Sequence, residues 1–253
     1  MNAAISASST PRIADRPVPP TLRVGGLVPL TTTDFPGRLA AVVFCQGCPW
    51  SCGYCHNPHL IPARGTGDHD WAQVLDLLGR RRGLLDGVVF SGGEPLAQRG
   101  LPEAMRVVRA AGFDVGLHTG GAYPERLDDV LPLVDWVGFD VKASFSDYER
   151  LTRVPGSGEA ARRSLHALLA SGVDHEIRTT VHPAIFDRRG VLRLARGLAD
   201  RGVRCYALQV FRGNGCLDPA YRDSRGASAL IDLSLLEEIR TLFERFEIRG
   251  MPG

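Results

Sequence analysis

The sequence predicts an α/β fold, a partial (βα)6 TIM-like barrel of parallel strands. Three observations carry this: six short apolar runs, amphipathic stretches between them, and a polar motif directly after each of the first five runs.

The apolar runs cover residues 39–44, 87–90, 113–117, 136–141, 176–181 and 205–211, continuous and short as buried parallel strands are. Helical spacing fills the gaps. Trp71, Val74, Leu75 and Leu78 share one face behind Asp70 as N-cap, and Pro102 opens a helix over 103–111 that Gly112 ends. Further helices are expected over 124–131, 159–170 and 189–201. A last one is expected to start at Ser234, with Glu237 completing a capping box, and to run to Phe246. Ahead of the first strand, residues 22–37 mix apolar pieces with Gly and Pro and read as a ribbon leading into the sheet. Residues 1–20 hold four prolines and few large apolar side chains, which predicts a disordered tail; residues 21–253 suit a single domain.

Alternating strands and helices imply parallel pairing with right-handed crossovers, satisfied by a doubly wound sheet or by a partial barrel. The polar motifs choose the barrel, because reactive groups gather at the mouth formed by the carboxyl ends of barrel strands. Residues 45–57 follow the first strand and Ser91-Gly92-Gly93-Glu94-Pro95 the second. His118-Thr119-Gly120-Gly121 ends the third, Asp140 and Lys142 end the fourth, and Arg178 to Pro183 closes the fifth.

With 30 basic and 28 acidic side chains the formal charge is only +2, so no strong field points to nucleic acid or to an anionic membrane. The chain has neither a long apolar run nor an apolar signal segment, and a soluble, cytoplasmic protein is expected.

Four of the six cysteines crowd between Cys45 and Cys55, which suits metal ligation better than a disulfide framework. Thiolates serve either zinc or iron–sulfur clusters. Three residues between Cys48 and Cys52 leave little chain for closing a zinc tetrahedron, whereas Cys48, Cys52 and Cys55 can hold three corners of a cubane and leave its fourth iron open. A zinc-stabilised binding module is the alternative from another class. Cys45 reads as a buried small residue rather than a ligand, Cys205 as core, and Cys216 as an exposed, redox-sensitive thiol.

The Cys48-x3-Cys52-x2-Cys55 triplet, with Tyr54 just before its last member and Gly92-Gly93-Glu94-Pro95 at the next strand end, resembles the signature of the radical S-adenosylmethionine (SAM) superfamily. The resemblance implies that the triplet ligates a [4Fe–4S] cluster, that SAM chelates the open iron, and that an electron from the cluster cleaves SAM to a 5′-deoxyadenosyl radical. It places Tyr54, Gly92, Gly93, Glu94 and Thr119 around these cofactors. Lys142 is implied for the SAM carboxylate, Asp140 for hydrogen bonding or cation ligation, and Arg178 and His182 for the carboxylate or ribose region. The Asp140–Lys142 pair also reads as a plain salt bridge. At 118–120 the chain has His-Thr-Gly, where activating enzymes often carry an acidic residue before the threonine and asparagine after it.

Thr-Thr-Thr-Asp-Phe-Pro-Gly-Arg-Leu, leading into Phe-Cys-Gln-Gly-Cys-Pro-Trp-Ser-Cys-Gly-Tyr-Cys-His-Asn-Pro, is similar to the activating subunits of anaerobic ribonucleoside-triphosphate reductase. This implies a glycyl radical protein, the reductase large subunit, as substrate and a flavodoxin- or ferredoxin-like electron donor. A small-molecule radical SAM enzyme such as a 7-carboxy-7-deazaguanine synthase shares the triplet and the glycine motif.

Overall fold

The computed structural model describes residues 22–65, 69–213, 215–222 and 230–250. The tail expected at residues 1–20 lies outside them. The six expected strands are present as β2 (Ala40–Cys45), β3 (Gly87–Gly92), β4 (Asp114–Thr119), β5 (Trp136–Asp140), β6 (His175–Val181) and β7 (Cys205–Val210). The leading ribbon becomes β1 (Val24–Thr31), antiparallel to β2. Residues 245–249 add β8 (Arg245–Arg249), parallel to β7. The strand order is 1-2-3-4-5-6-7-8, so β1 and β8 are the two edges of an open barrel.

Every parallel step is bridged by helix: α1 (Trp71–Arg80), α2 (Leu101–Ala110), α3 (Pro124–Val130), the pair α4 (Tyr148–Thr152) and α5 (Ser157–Ser171), α6 (Arg188–Ala199), and the pair α7 (Pro219–Arg222) and α8 (Leu233–Arg240). Asp70 caps α1 as its sequence position predicts, accepting from Gln73 N while the Gln73 side chain accepts from Asp70 N. No helix among the described residues is long and apolar enough to cross a membrane.

The chain's end departs from expectation. Asp232, not Ser234, caps α8, accepting from Leu235 N at 2.7 Å; Ser234 instead takes a bond from Arg188 at the surface. The helix stops at Arg240 rather than Phe246. Phe246 and Ile248 alternate with Arg245, Glu247 and Arg249, a period-two pattern. A strand lets Phe246 stack on Tyr206 of β7, which a continuing helix would not.

Strand alternation sorts the core into two parts. Ala41, Val43 and Cys45 of β2 face the helices in the large cluster, whereas Ala40 and Val42 face the barrel interior with Val89, Trp136 and Phe35. Phe35, from the β1–β2 turn, plugs the floor and stacks on Trp136 with ring centroids 5.8 Å apart. Gly87 and Gly116 make room for it, since a Cβ would lie 2.9 Å and 3.3 Å from its ring. Phe35→Ala should therefore open a cavity that neighbouring strands cannot collapse into and destabilise the fold by about 3 kcal/mol, read by denaturant titration.

Candidate functional site

Above this floor the interior turns polar, and a cavity of about 890 Å³ opens at the carboxyl ends of the strands. Cys48, Cys52, Tyr54 and Cys55 line it from the β2 loop, Gly92, Gly93 and Glu94 from the β3 end, and His118 and Thr119 from β4. Asp140 and Lys142 line it from the end of β5 and Arg178 from β6. Trp50, Thr180, Gln209, Arg212 and Arg249 also line the cavity and were not singled out from the sequence. Gln209 carried a usable signal, a lone amide near the end of an apolar strand; Arg249 could only be found by recognising β8.

The β2 and β3 loops are locked together by main chain. Gly93 N donates to Cys45 O and Glu94 N to Gly47 O, both at 2.9 Å. Gln46 Nε2 donates to Pro62 O at 2.7 Å, holding the start of the cysteine loop against the segment that follows it. The buried Glu94 carboxylate then crosses to the β4 end, accepting from Thr119 Oγ1 (2.7 Å), Gly120 N (3.0 Å) and Leu96 N (3.1 Å). Burial pushes its carboxyl above the usual range, an effect these three bonds oppose. Most of its bonding capacity is thus spent on joining neighbouring loops.

On the far wall Arg178 Nε donates to Asp140 Oδ1 at 2.9 Å, and Lys142 Nζ lies 3.6 Å from Asp140 Oδ2. Burial would raise the Asp140 carboxyl, but Arg178 and Lys142 outweigh it and hold it below the usual range. Tyr148 pins the backbone here, accepting from Lys142 N at 2.9 Å. His118 Nε2 donates to Asp34 O at 2.8 Å, tying the mouth to the floor turn. Burial, then the Arg178 charge, pushes His118 down to about 3, so its ring is neutral. The same Nε2 lies 3.3 Å from Arg178 Nη1; with its N–H directed at Asp34 O, this is a contact rather than a hydrogen bond.

Two residues lie apart from the cavity surface. His182 does not line the cavity: β6 ends at Val181, and a turn follows in which Ile185 N and Phe186 N donate to His182 O. The strand alternation that aims Arg178 and Thr180 inward no longer governs position 182, and its ring packs against Phe211 and Tyr221. Cys216 is buried, not exposed, because its loop folds over the cysteine loop and its Sγ lies 3.4 Å from Gly53 O. Cys45 is fully buried away from the cavity, and Cys205 is half-buried.

Cys48, Cys52 and Cys55 are free thiols on one cavity wall. Burial pushes the Cys48 thiol up to about 12 and raises Cys52 and Cys55 too, so the protein does not ionise them. A metal would supply the missing positive charge. Among the described residues no three His, Cys, Asp or Glu side chains converge on a single-ion position. Three thiols suit a cluster, in which each binds a different iron and the fourth iron stays open, whereas a structural zinc site takes four ligands.

Residues 42–194 match the Radical SAM superfamily. A protein of Methanocaldococcus jannaschii provisionally designated a glycyl-radical enzyme activating enzyme is 30% identical over 208 residues, covering 79% of this chain and 84% of its own length. Pyruvate formate-lyase-activating enzyme of Clostridium pasteurianum is 30% identical over 178 residues, 68% of this chain and 73% of that protein. Streptococcus suis SuiB, solved with S-adenosylmethionine bound, superposes with a TM-score of 0.59 at 12% identity over 81% of this chain, which spans about half (48%) of the SuiB chain.

Proposed function

The chain belongs to the radical SAM superfamily, whose cofactors are a [4Fe–4S] cluster and SAM, and from that premise we propose that it is a glycyl-radical enzyme activating enzyme whose target is the large subunit of anaerobic ribonucleoside-triphosphate reductase. One observation carries the reading. The cysteine triplet, the Gly92-Gly93 turn and the Asp140–Lys142–Arg178 group, distant in sequence, line one cavity with room beside them for a substrate segment.

In this reading Cys48, Cys52 and Cys55 hold three irons and leave the fourth for the amino acid end of SAM. Gly92 and Gly93 expose main chain to its amino group, and the Lys142 ammonium faces its carboxylate. Arg178, fixed by Asp140, presents its remaining N–H groups to the carboxylate or ribose region. Tyr54 and Trp50 supply apolar walls that keep water from the reacting atoms. When bound, the cluster and SAM supply one-electron reductive cleavage and hydrogen-atom abstraction. The reductase as target rests on the likeness of residues 31–39 and 44–58 to its activating subunits.

The test is anaerobic. The protein is reconstituted with iron and sulfide, reduced, and mixed with SAM and the reductase large subunit. A glycyl radical signal on the large subunit by electron paramagnetic resonance, with release of 5′-deoxyadenosine, is the expected result. SAM cleavage with a radical on pyruvate formate-lyase instead would reassign the target, and turnover of a pterin without a protein radical would overturn the activase reading.

A further inference from the structure

The two halves of the cysteine loop are held by different parts of the molecule. Around Cys48 the anchors are main chain: Gly47 N donates to Leu60 O (2.8 Å) and Cys48 N to Ile61 O (3.0 Å), while Ser51 N, just before Cys52, donates to Thr152 O (3.0 Å). The Cys52–Cys55 half leans on the chain that follows β7. His56 Nε2 donates to Arg212 O at 2.7 Å, and its ring stacks on Phe211 at 4.9 Å. Cys216 Sγ points at Gly53 O, and the Tyr221 ring tilts against Tyr54 at 6.3 Å.

The approach is close enough to require glycine on both sides. A Cβ on Gly53 would lie 2.3 Å from the Tyr221 ring, and one on Gly215 would lie 2.4 Å from His56 O. Gly215 sits at φ 82°, where L side chains are strained as well. Arg153 of the α4 end holds this segment from outside through Asp218 at 3.0 Å.

We infer that Cys216 and Tyr221 are positioning residues for the cluster site. The segment they belong to clamps Gly53 and His56, the residues that directly follow Cys52 and Cys55, and so, together with the Ser51 N bond to Thr152 O, holds two of the three thiols while Cys48 is fixed independently. A loop held on one side only would open locally at modest cost and release or expose its ligands. The cluster part of this inference rests on the radical SAM reading; the clamping of the loop does not.

The test separates the two. In the metal-free protein, kept reduced and anaerobic, alkylation of each cysteine by iodoacetamide is followed by mass spectrometry. Tyr221→Ala and Cys216→Ala should each speed the reaction of Cys52 and Cys55 about fivefold, as expected for loss of a local contact, and leave Cys48 unchanged. Tyr221→Phe, which keeps the ring, should behave as wild type. After reconstitution, Tyr221→Ala should lose its iron–sulfur absorbance in air about fivefold faster than wild type. Equal alkylation rates, or an equal rise at all three cysteines, would overturn the clamp. Should Tyr221→Ala not fold, Gly53→Ala breaks the same contact from the other side and must show the same selectivity. Selective alkylation in a chain that takes up no cluster would keep the clamp and sink the cluster role.

Discussion

Replacing Cys48, Cys52 or Cys55 with Ala is expected to abolish both cluster binding and SAM cleavage, while Cys45→Ala keeps both. The asymmetry follows from position. The triplet thiols line the cavity, whereas Cys45 is wholly buried on the helix side of β2 with its sulfur in the apolar layer. Removing one thiolate leaves a cluster with two protein ligands and two open irons, and a chelated metal cannot be kept when its charge and geometry are both short of a ligand. Iron and sulfide content after anaerobic reconstitution, absorbance near about 400 nm and 5′-deoxyadenosine release are the readouts. Full cluster and full cleavage in any one triplet variant would remove that residue from the ligand set. Loss of iron in Cys45→Ala with unchanged thermal stability would add a fourth.

Gly92→Ala is expected to be severely damaging. The glycine sits at φ 115°, which L residues rarely adopt, and its Cβ would lie 2.4 Å from Cys45 N, 2.6 Å from Cys45 O and 2.9 Å from Phe44 C. All three are backbone atoms of a buried strand, so no side chain can swing aside. Relief requires parting the β2 and β3 ends, which breaks the Gly93 N to Cys45 O bond and the Glu94 N to Gly47 O bond on which the cysteine loop hangs. Strain and lost bonds together should cost at least about 4 kcal/mol, a size reserved for such backbone conflicts. Denaturant titration reads the stability, and iron uptake by whatever protein folds reads the loop. A variant as stable as wild type would show that the strand ends can separate freely.

Gly92 illustrates how far the sequence reaches. A glycine pair before Glu-Pro at a strand end pointed to close backbone approach, and close approach is what occurs, but the partner at Gly92 is the protein's own β2 strand. The resemblance places Glu94 around the cofactors, and in the structure its carboxylate accepts from Leu96 N, Thr119 Oγ1 and Gly120 N. In both cases a local motif announced a tight place without naming what fills it, because the partners lie on other strands.

The sequence by itself determined the alternation of strand and helix, the parallel barrel and the gathering of polar motifs at one end. These depend on periodicities within ten or so residues and on the chirality of short crossovers, which any local stretch carries. Only the tertiary structure decided that Phe35 is the barrel's floor, that His182 turns out of the mouth, that Arg249 enters it from an eighth strand, and that Cys216 and Tyr221 lie over the cysteine loop. Each of those depends on which segments meet across long sequence separations. Such meetings are set by packing volume and burial summed over the whole chain, and no short window of sequence contains that sum.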